Sequence, residues 1–181
     1  KTPNGAQLLT VPVVHRFGQK INDVELNYQT GWVKKDVLGI KQAYSKAPFF
    51  DQLFPEFLEI LEKEDHFLAN LNIEILRWQL DYIECTTPMV RSSQLGIKSQ
   101  GTHRIVDIVK AVDCDQYLSG AYALEEYMDS EHFEDNDIQL IIQKWIAKEY
   151  PQLHGKHGFI KDLAVFDMLM NLGAGARQLL L

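Results

Sequence analysis

The sequence predicts an α/β protein: a Rossmann-like, mostly parallel sheet with flanking helices and a helical segment in the first half. Three observations carry this. Apolar residues recur at helical spacing through much of residues 32–82. In the second half, short β-rich runs alternate with helical ones, the pattern of parallel α/β sheets. The composition, 46% hydrophobic and 24% charged over 181 residues, suits one domain with a real core. A single domain over residues 1–181 is therefore expected.

The elements follow in order. Thr2-Pro3-Asn4-Gly5 is turn chemistry. Residues 8–14 are β-rich, with Pro12 marking an edge position or a strand end. Residues 24–28 alternate apolar and polar, as a half-buried strand does, and 19–23 would connect the two strands. Trp32, Val33, Val37, Ile40 and Tyr44 form the stripe of a first helix. After Pro48, a second helix begins near Asp51 and carries Phe54, Phe57, Leu58 and Leu61. A third spans 67–82, with Leu71, Ile75, Trp78 and Tyr82 near helical spacing. Residues 88–93 read as a short strand running into a polar loop, and 102–112 as a helix with Ile105, Ile108, Val109 and Val112 inward. Residues 115–120 read as a strand, 121–128 as a short helix, and 138–142 as a strand. The last helix, over 162–173, is closed by Gly173.

Charge and cysteine content narrow the function. A net charge of −7 argues against non-specific nucleic-acid binding, which needs a basic surface. A small anionic ligand is still allowed, because a local pocket can oppose the global sign. No apolar run approaches the roughly 18 residues of a membrane span, and no signal peptide is visible. Cys85 and Cys114 are too few for a disulfide framework and are expected as free thiols in a reducing compartment. Cys114 lies between Asp113 and Asp115, whose charge disfavours a thiolate, and Cys85 has no basic neighbour within five residues, so neither is a persuasive nucleophile. The start at Lys1, without Met, is expected to lie within a longer polypeptide.

Asp167 and Asn171 stand out in the last helix. They are four residues apart in an otherwise apolar run, so they share a face. Buried there, they need partners, which makes them a structural lock or part of a site. Ser92, Ser93, Ser119 and Gly120 would sit at the carboxyl ends of strands, where α/β sheets bind ligands. Their hydroxyls and amides can hold phosphate or sugar oxygens, or they are ordinary turn residues. No G-x-G-x-x-G or P-loop is present. His154 and His157 flank Lys156 in a glycine-containing loop. That trio suits acid–base work or anion binding, and a metal only with carboxylates from elsewhere, so no metal is assigned. The acidic residues 129–137 lack the glycine and terminal glutamate of a calcium loop.

Several motifs together resemble the WbqC-like proteins. They run from Asn4-Gly5 and Leu9-Thr10-Val11-Pro12-Val13, through Trp32 and Tyr44-Ser45-Lys46-Ala47-Pro48-Phe49-Phe50, to Ser92-Ser93-Gln94-Leu95. They continue with Tyr117-Leu118-Ser119-Gly120, Tyr127, Phe133, Tyr150, Phe159 and the run from Asp167 to Gly173. The resemblance implies a cytoplasmic role in making or decorating a nucleotide-linked sugar, since the family occurs in bacterial O-antigen and other surface-polysaccharide gene clusters. It suggests a transferase placing an acyl or aminoacyl group on an amino sugar, or else a non-catalytic scaffolding subunit. No cofactor is implied. In the transferase reading Asp167, Asn171 and Lys156 are catalytic, and Ser92, Ser93, Ser119, Gly120 and Tyr127 bind substrate. The chain departs from the family pattern in three places. The usual N-terminal strand with a Gln-Pro-Asn-Tyr-like motif, and the Asn-Arg segment after it, are not in this sequence. A His common four residues after the Trp is Asp36, and a Ser usual in the last helix is Ala164.

Overall fold

The computed structural model describes residues 1–120, 122 and 129–180. Its contacts divide the chain into two compact units, Lys1–Thr87 with Ala147–Leu181, and Pro88–Ile146.

The first unit is built on helices. A turn ending at Gly31, with φ 63°, leads into α1 (Trp32–Tyr44). Its buried stripe is Trp32, Asp36, Ile40, Ala43 and Tyr44, the repeat a helix presents to a core. Helix α2 (Phe50–Glu62) buries Phe50, Leu53, Phe54, Phe57 and Leu61. Helix α3 (Leu68–Tyr82) buries Leu71 and Trp78. Its C-terminal end is held from far away in sequence, where the Arg177 guanidinium donates to the carbonyls of Ile83 (2.6 Å) and Glu84 (2.5 Å). A cation there also suits the negative end of the helix dipole. Two short strands, β1 (Val13–Val14) and β2 (Glu25–Leu26), pair antiparallel. Pro12 has no N–H to give, and β1 begins just after it.

The second unit has its own small core. Helix α4 (Gly101–Ala111) supplies Val106 and Val109, and α5 (Ser130–Glu134) supplies Phe133, with Ile138 beside them. Strands β3 (Gln116–Gly120) and β4 (Gln139–Gln143) pair in parallel, and the Tyr117 ring stacks on Phe133 at 5.5 Å. Ser119 is buried on one face of β3 while its neighbour Leu118 is 61% exposed, as strand alternation requires. The short helix expected over 121–128 falls almost wholly outside the described residues.

This architecture corrects the expected fold. About half of the chain is helical, and the described strands make two separate two-stranded sheets, one antiparallel and one parallel. Among the described residues there is no extended Rossmann-like parallel sheet. The run at 88–93 forms no strand: Met89 and Val90 are exposed, and a single 3-10 turn follows at Ser92–Gln94. The apolar stripes of α1, α2 and α3 belong to one shared core rather than to a sheet face. Two further helices, α6 (Val165–Leu172) and the terminal α7 (Arg177–Leu180), complete the first unit.

Candidate functional site

Two stretches singled out in the sequence, 44–50 and 167–173, interlock in the first unit. The Tyr44 hydroxyl, at the end of α1, donates to Asp167 Oδ1 at 2.7 Å. The Tyr150 hydroxyl donates to Asp167 Oδ2 at 2.8 Å. The backbone nitrogen of Lys1 donates to the Tyr44 hydroxyl and lies 3.5 Å from Asp167 Oδ1. Further along, the Phe49 N–H donates to the Met170 carbonyl at 3.1 Å. Asp167 is 2% exposed, so its oxygens need partners, and both are hydrogen-bonded. Burial, and then the bond to Asp167, push the Tyr44 hydroxyl far above the usual tyrosine range. Tyr150 is raised as well, chiefly by burial, with Asp167 adding to the shift and Gln152 opposing it. Both phenols are therefore held as neutral donors through the ordinary tyrosine range.

Asn171 does not touch the Asp167 carboxylate. Its side-chain amide donates to the Asp167 backbone carbonyl at 2.7 Å, one turn back, and so braces the helix.

A cavity of about 530 Å³ opens beside this cluster. Its walls include Ile40, Ala43 and Tyr44 of α1, Phe57 of α2, Ile75 and Gln79 of α3, and Phe166 and Asp167 of α6. Residues near the chain start, Lys1, Thr2 and Ala6 to Leu9, and the segment 160–164 complete it. Gly39 also lines it, and a Cβ built there meets nothing within 4 Å. The volume falls in the range of small-molecule sites, roughly 300–1,000 Å³, and an apolar lining with a few convergent polar groups is their usual character.

Residues 1–179 match the model of the WbqC-like protein family. The chain belongs to that family. No curated protein and no solved structure matches it. Two positions that the resemblance marked as departures, Asp36 and Ala164, lie within the first unit of this WbqC-like chain. Ala164 lines the cavity and is the N-cap of α6, with no side chain to satisfy the helix's first N–H groups. Serine there would accept from the backbone N–H of Phe166 or Asp167. Ala164→Ser is expected to stabilise the protein by about 1 kcal/mol, read as a rise of roughly 2–4 °C in the melting temperature. Asp36 is buried on α1, and burial raises its carboxyl above the usual range while Lys35 opposes the shift. An acid so raised contributes stability below the unfolded value near 4 and loses it as pH rises through the folded value. Asp36→Asn is therefore expected to raise stability at pH 7 and leave it unchanged near pH 3, measured by urea unfolding at the two pH values.

The other predicted site residues are placed as follows. Lys156 is exposed and is not among the cavity-lining residues. His154 donates Nε2–H to the Ala43 carbonyl (2.9 Å), and His157 donates to the Pro3 carbonyl (2.7 Å). Those nitrogens thus tie the loop to α1 and to the first turn. Among the described residues, no three His, Cys, Asp or Glu side chains gather as a metal site would require. Ser92, Ser93, Ser119 and Gly120 all belong to the second unit. Ser92 and Ser93 are exposed, whereas the buried Ser119 hydroxyl donates to the Gly120 carbonyl at 3.2 Å. Among the described residues, no hydrogen bond joins the two pairs. Tyr127 lies outside the described residues. His103 and His132 form an edge-to-face ring pair at 4.0 Å.

Tyr150 entered the sequence reading only as part of the family pattern, and Tyr44 only there and in the stripe of the first helix. Their role was invisible because Tyr44 is 123 residues from Asp167 in sequence. Both cysteines are free thiols. Hydrogen bonding to Thr87 lowers the Cys85 thiol below its ordinary value, with a smaller contribution from the Arg177 charge that proximity in sequence did not reveal. No helix among the described residues is long and apolar enough to cross a membrane.

Proposed function

We propose that this WbqC-like chain takes part in building bacterial surface polysaccharide in the cytoplasm, as a transferase acting on a nucleotide-linked amino sugar. The observation that carries the proposal is the cavity walled by Tyr44 and Asp167. It is a small-molecule-sized hollow beside a hydrogen-bonded carboxylate cluster, built from segments that the family resemblance picked out. The reaction is acyl transfer from a thioester. The sugar's amine nitrogen bonds to the thioester carbonyl carbon, the carbon–sulfur bond breaks, and the proton lost from nitrogen leaves with the thiol.

In this reading Tyr44 faces the ligand, and Asp167 is a positioning residue that acts through Tyr44. The Tyr44 hydroxyl gives its proton to Asp167 and accepts from the Lys1 backbone nitrogen, which leaves one lone pair that can accept from a substrate amine. Asn171 keeps the α6 backbone in place under Asp167. The burial of Phe50, Phe54 and Phe57 removes the aromatic surface that a scaffolding subunit would have offered in that stretch.

A thermal-shift screen with nucleotide-linked amino sugars and acyl thioesters tests the proposal. A ligand at one hundred times its dissociation constant adds about 2.7 kcal/mol. Both classes are expected to raise the melting temperature. Silence from both, in protein that melts cooperatively, would overturn the reading.

A further inference from the structure

We infer that the cavity of the first unit is the subsite for the donor's acyl group, for a chain longer than acetyl, and not for the sugar ring. The inference rests on the transferase reading and names which reactant this hollow takes.

The polar atoms at the Asp167 end of the cavity are mostly paired within the protein. Asp167 accepts from two phenols, one on each oxygen. The Tyr44 hydroxyl donates to one of those oxygens and accepts from the Lys1 backbone nitrogen. The Lys1 ammonium donates to Gln152 Oε1 at 3.2 Å and to the Gly158 carbonyl at 2.5 Å. Much of the remaining wall is apolar, with Ile40, Phe57, Ile75, Leu163 and Phe166 among its residues. A sugar ring entering this space would give up hydrogen bonds to water at several hydroxyls and find few replacements, which is unfavourable for each one. A hydrocarbon chain gives up none and gains from leaving water.

Two further features favour a chain. Leu8 and Leu9 line the cavity while 92% and 48% exposed, so apolar surface stands uncovered beside it. Gly39 leaves an open place on the α1 wall, where even a Cβ would touch nothing within 4 Å. The volume of about 530 Å³ exceeds what a two-carbon group fills. The polar remainder of the donor would stay at the rim, where Gln7 and Lys161 are exposed.

Isothermal titration with acetyl-, butyryl-, hexanoyl- and octanoyl-coenzyme A tests this on the wild-type chain and on Gly39→Leu. Affinity is expected to rise about fourfold per added methylene until the cavity is full. The Gly39→Leu side chain is expected to occupy the cavity and erase that dependence. Its melting temperature should not fall, because glycine inside a helix is a poor helix former and a Cβ there meets nothing within 4 Å. A flat chain-length series, or a series unchanged by Gly39→Leu, would overturn the inference. If nucleotide-linked amino sugars bind while the series is flat, the acyl subsite falls and the sugar reading stands. If the series holds while no sugar binds, the acyl-chain cavity stands and the choice of an amino sugar as acceptor falls.

Discussion

Gly173→Ala is expected to destabilise the protein by roughly 2–6 kcal/mol, from two costs that add. The first is conformational. Gly173 has φ 56° and ψ −137°, a region that residues with a Cβ rarely occupy. Holding alanine there costs about 1–3 kcal/mol. The second is steric. A Cβ at Gly173 would lie 2.6 Å from two carbons of the Phe49 ring. That ring cannot retreat freely, because the Phe49 N–H is bonded to the Met170 carbonyl and α2 begins at the next residue. Overpacking of this kind costs about 1–3 kcal/mol. Against a typical total stability of about 5–15 kcal/mol, the loss is a large fraction. Thermal melting should show a drop on the order of 10 °C. Adding Phe49→Leu should recover the steric part only, so the double variant should melt above Gly173→Ala and below wild type once the cost of Phe49→Leu alone is subtracted. A Gly173→Ala protein that melts with wild type would show that this end of α6 does not sit as described.

How much of this was legible in the sequence differs by level. The helices were legible because their signal is local. The stripe from Trp32 to Tyr44 marks α1 within its observed bounds, and 102–112 lies one residue from α4 at Gly101–Ala111. The strands at 115–120 and 138–142 were also found nearly in place. What each element packs against was not legible. An amphipathic helix looks the same whether its apolar face meets a sheet or other helices, so β/α alternation over-predicted the sheet. Residues 88–93 show the same limit, since Met89 and Val90 have strand-like composition but meet no partner strand. The site follows this pattern. Asp167 stood out because a carboxylate in an apolar helix face must find partners. Tyr44 and Tyr150, which satisfy it, are tied to it only by the fold. Gly173 read as a helix stop, but its close approach to Phe49 depends on a contact 124 positions away, a separation no local pattern encodes.

Removing the Asp167 carboxylate tests the same junction from its polar side. Asp167→Ala is expected to cost about 3–5 kcal/mol, because it leaves two phenol donors without an acceptor and opens space beside α6. Asp167→Asn should cost less, about 1–3 kcal/mol, since the amide oxygen still accepts from one tyrosine while its NH2 faces the other. The tyrosines themselves give the pH signature. Their hydroxyls are raised above the unfolded value of about 10 in the folded protein. Above that value the unfolded chain releases protons that the folded chain keeps. Stability is therefore fully present well below pH 10 and falls as pH rises beyond it, with a slope that approaches about 1.4 kcal/mol per pH unit for each tyrosine. Urea unfolding between pH 9 and 11 should show this slope in wild type, and Tyr44→Phe should remove one tyrosine's share. If the slope is the same in both proteins, the Tyr44 hydroxyl is not held as a buried neutral donor. Ligand binding then separates the lock from the site. A purely structural Asp167 predicts that Asp167→Asn, still folded at 20 °C, binds acyl thioester and amino sugar as wild type does. A positioning Asp167 predicts weakened binding or transfer in the same folded protein, because Tyr44 would no longer be held at the cavity wall in one orientation.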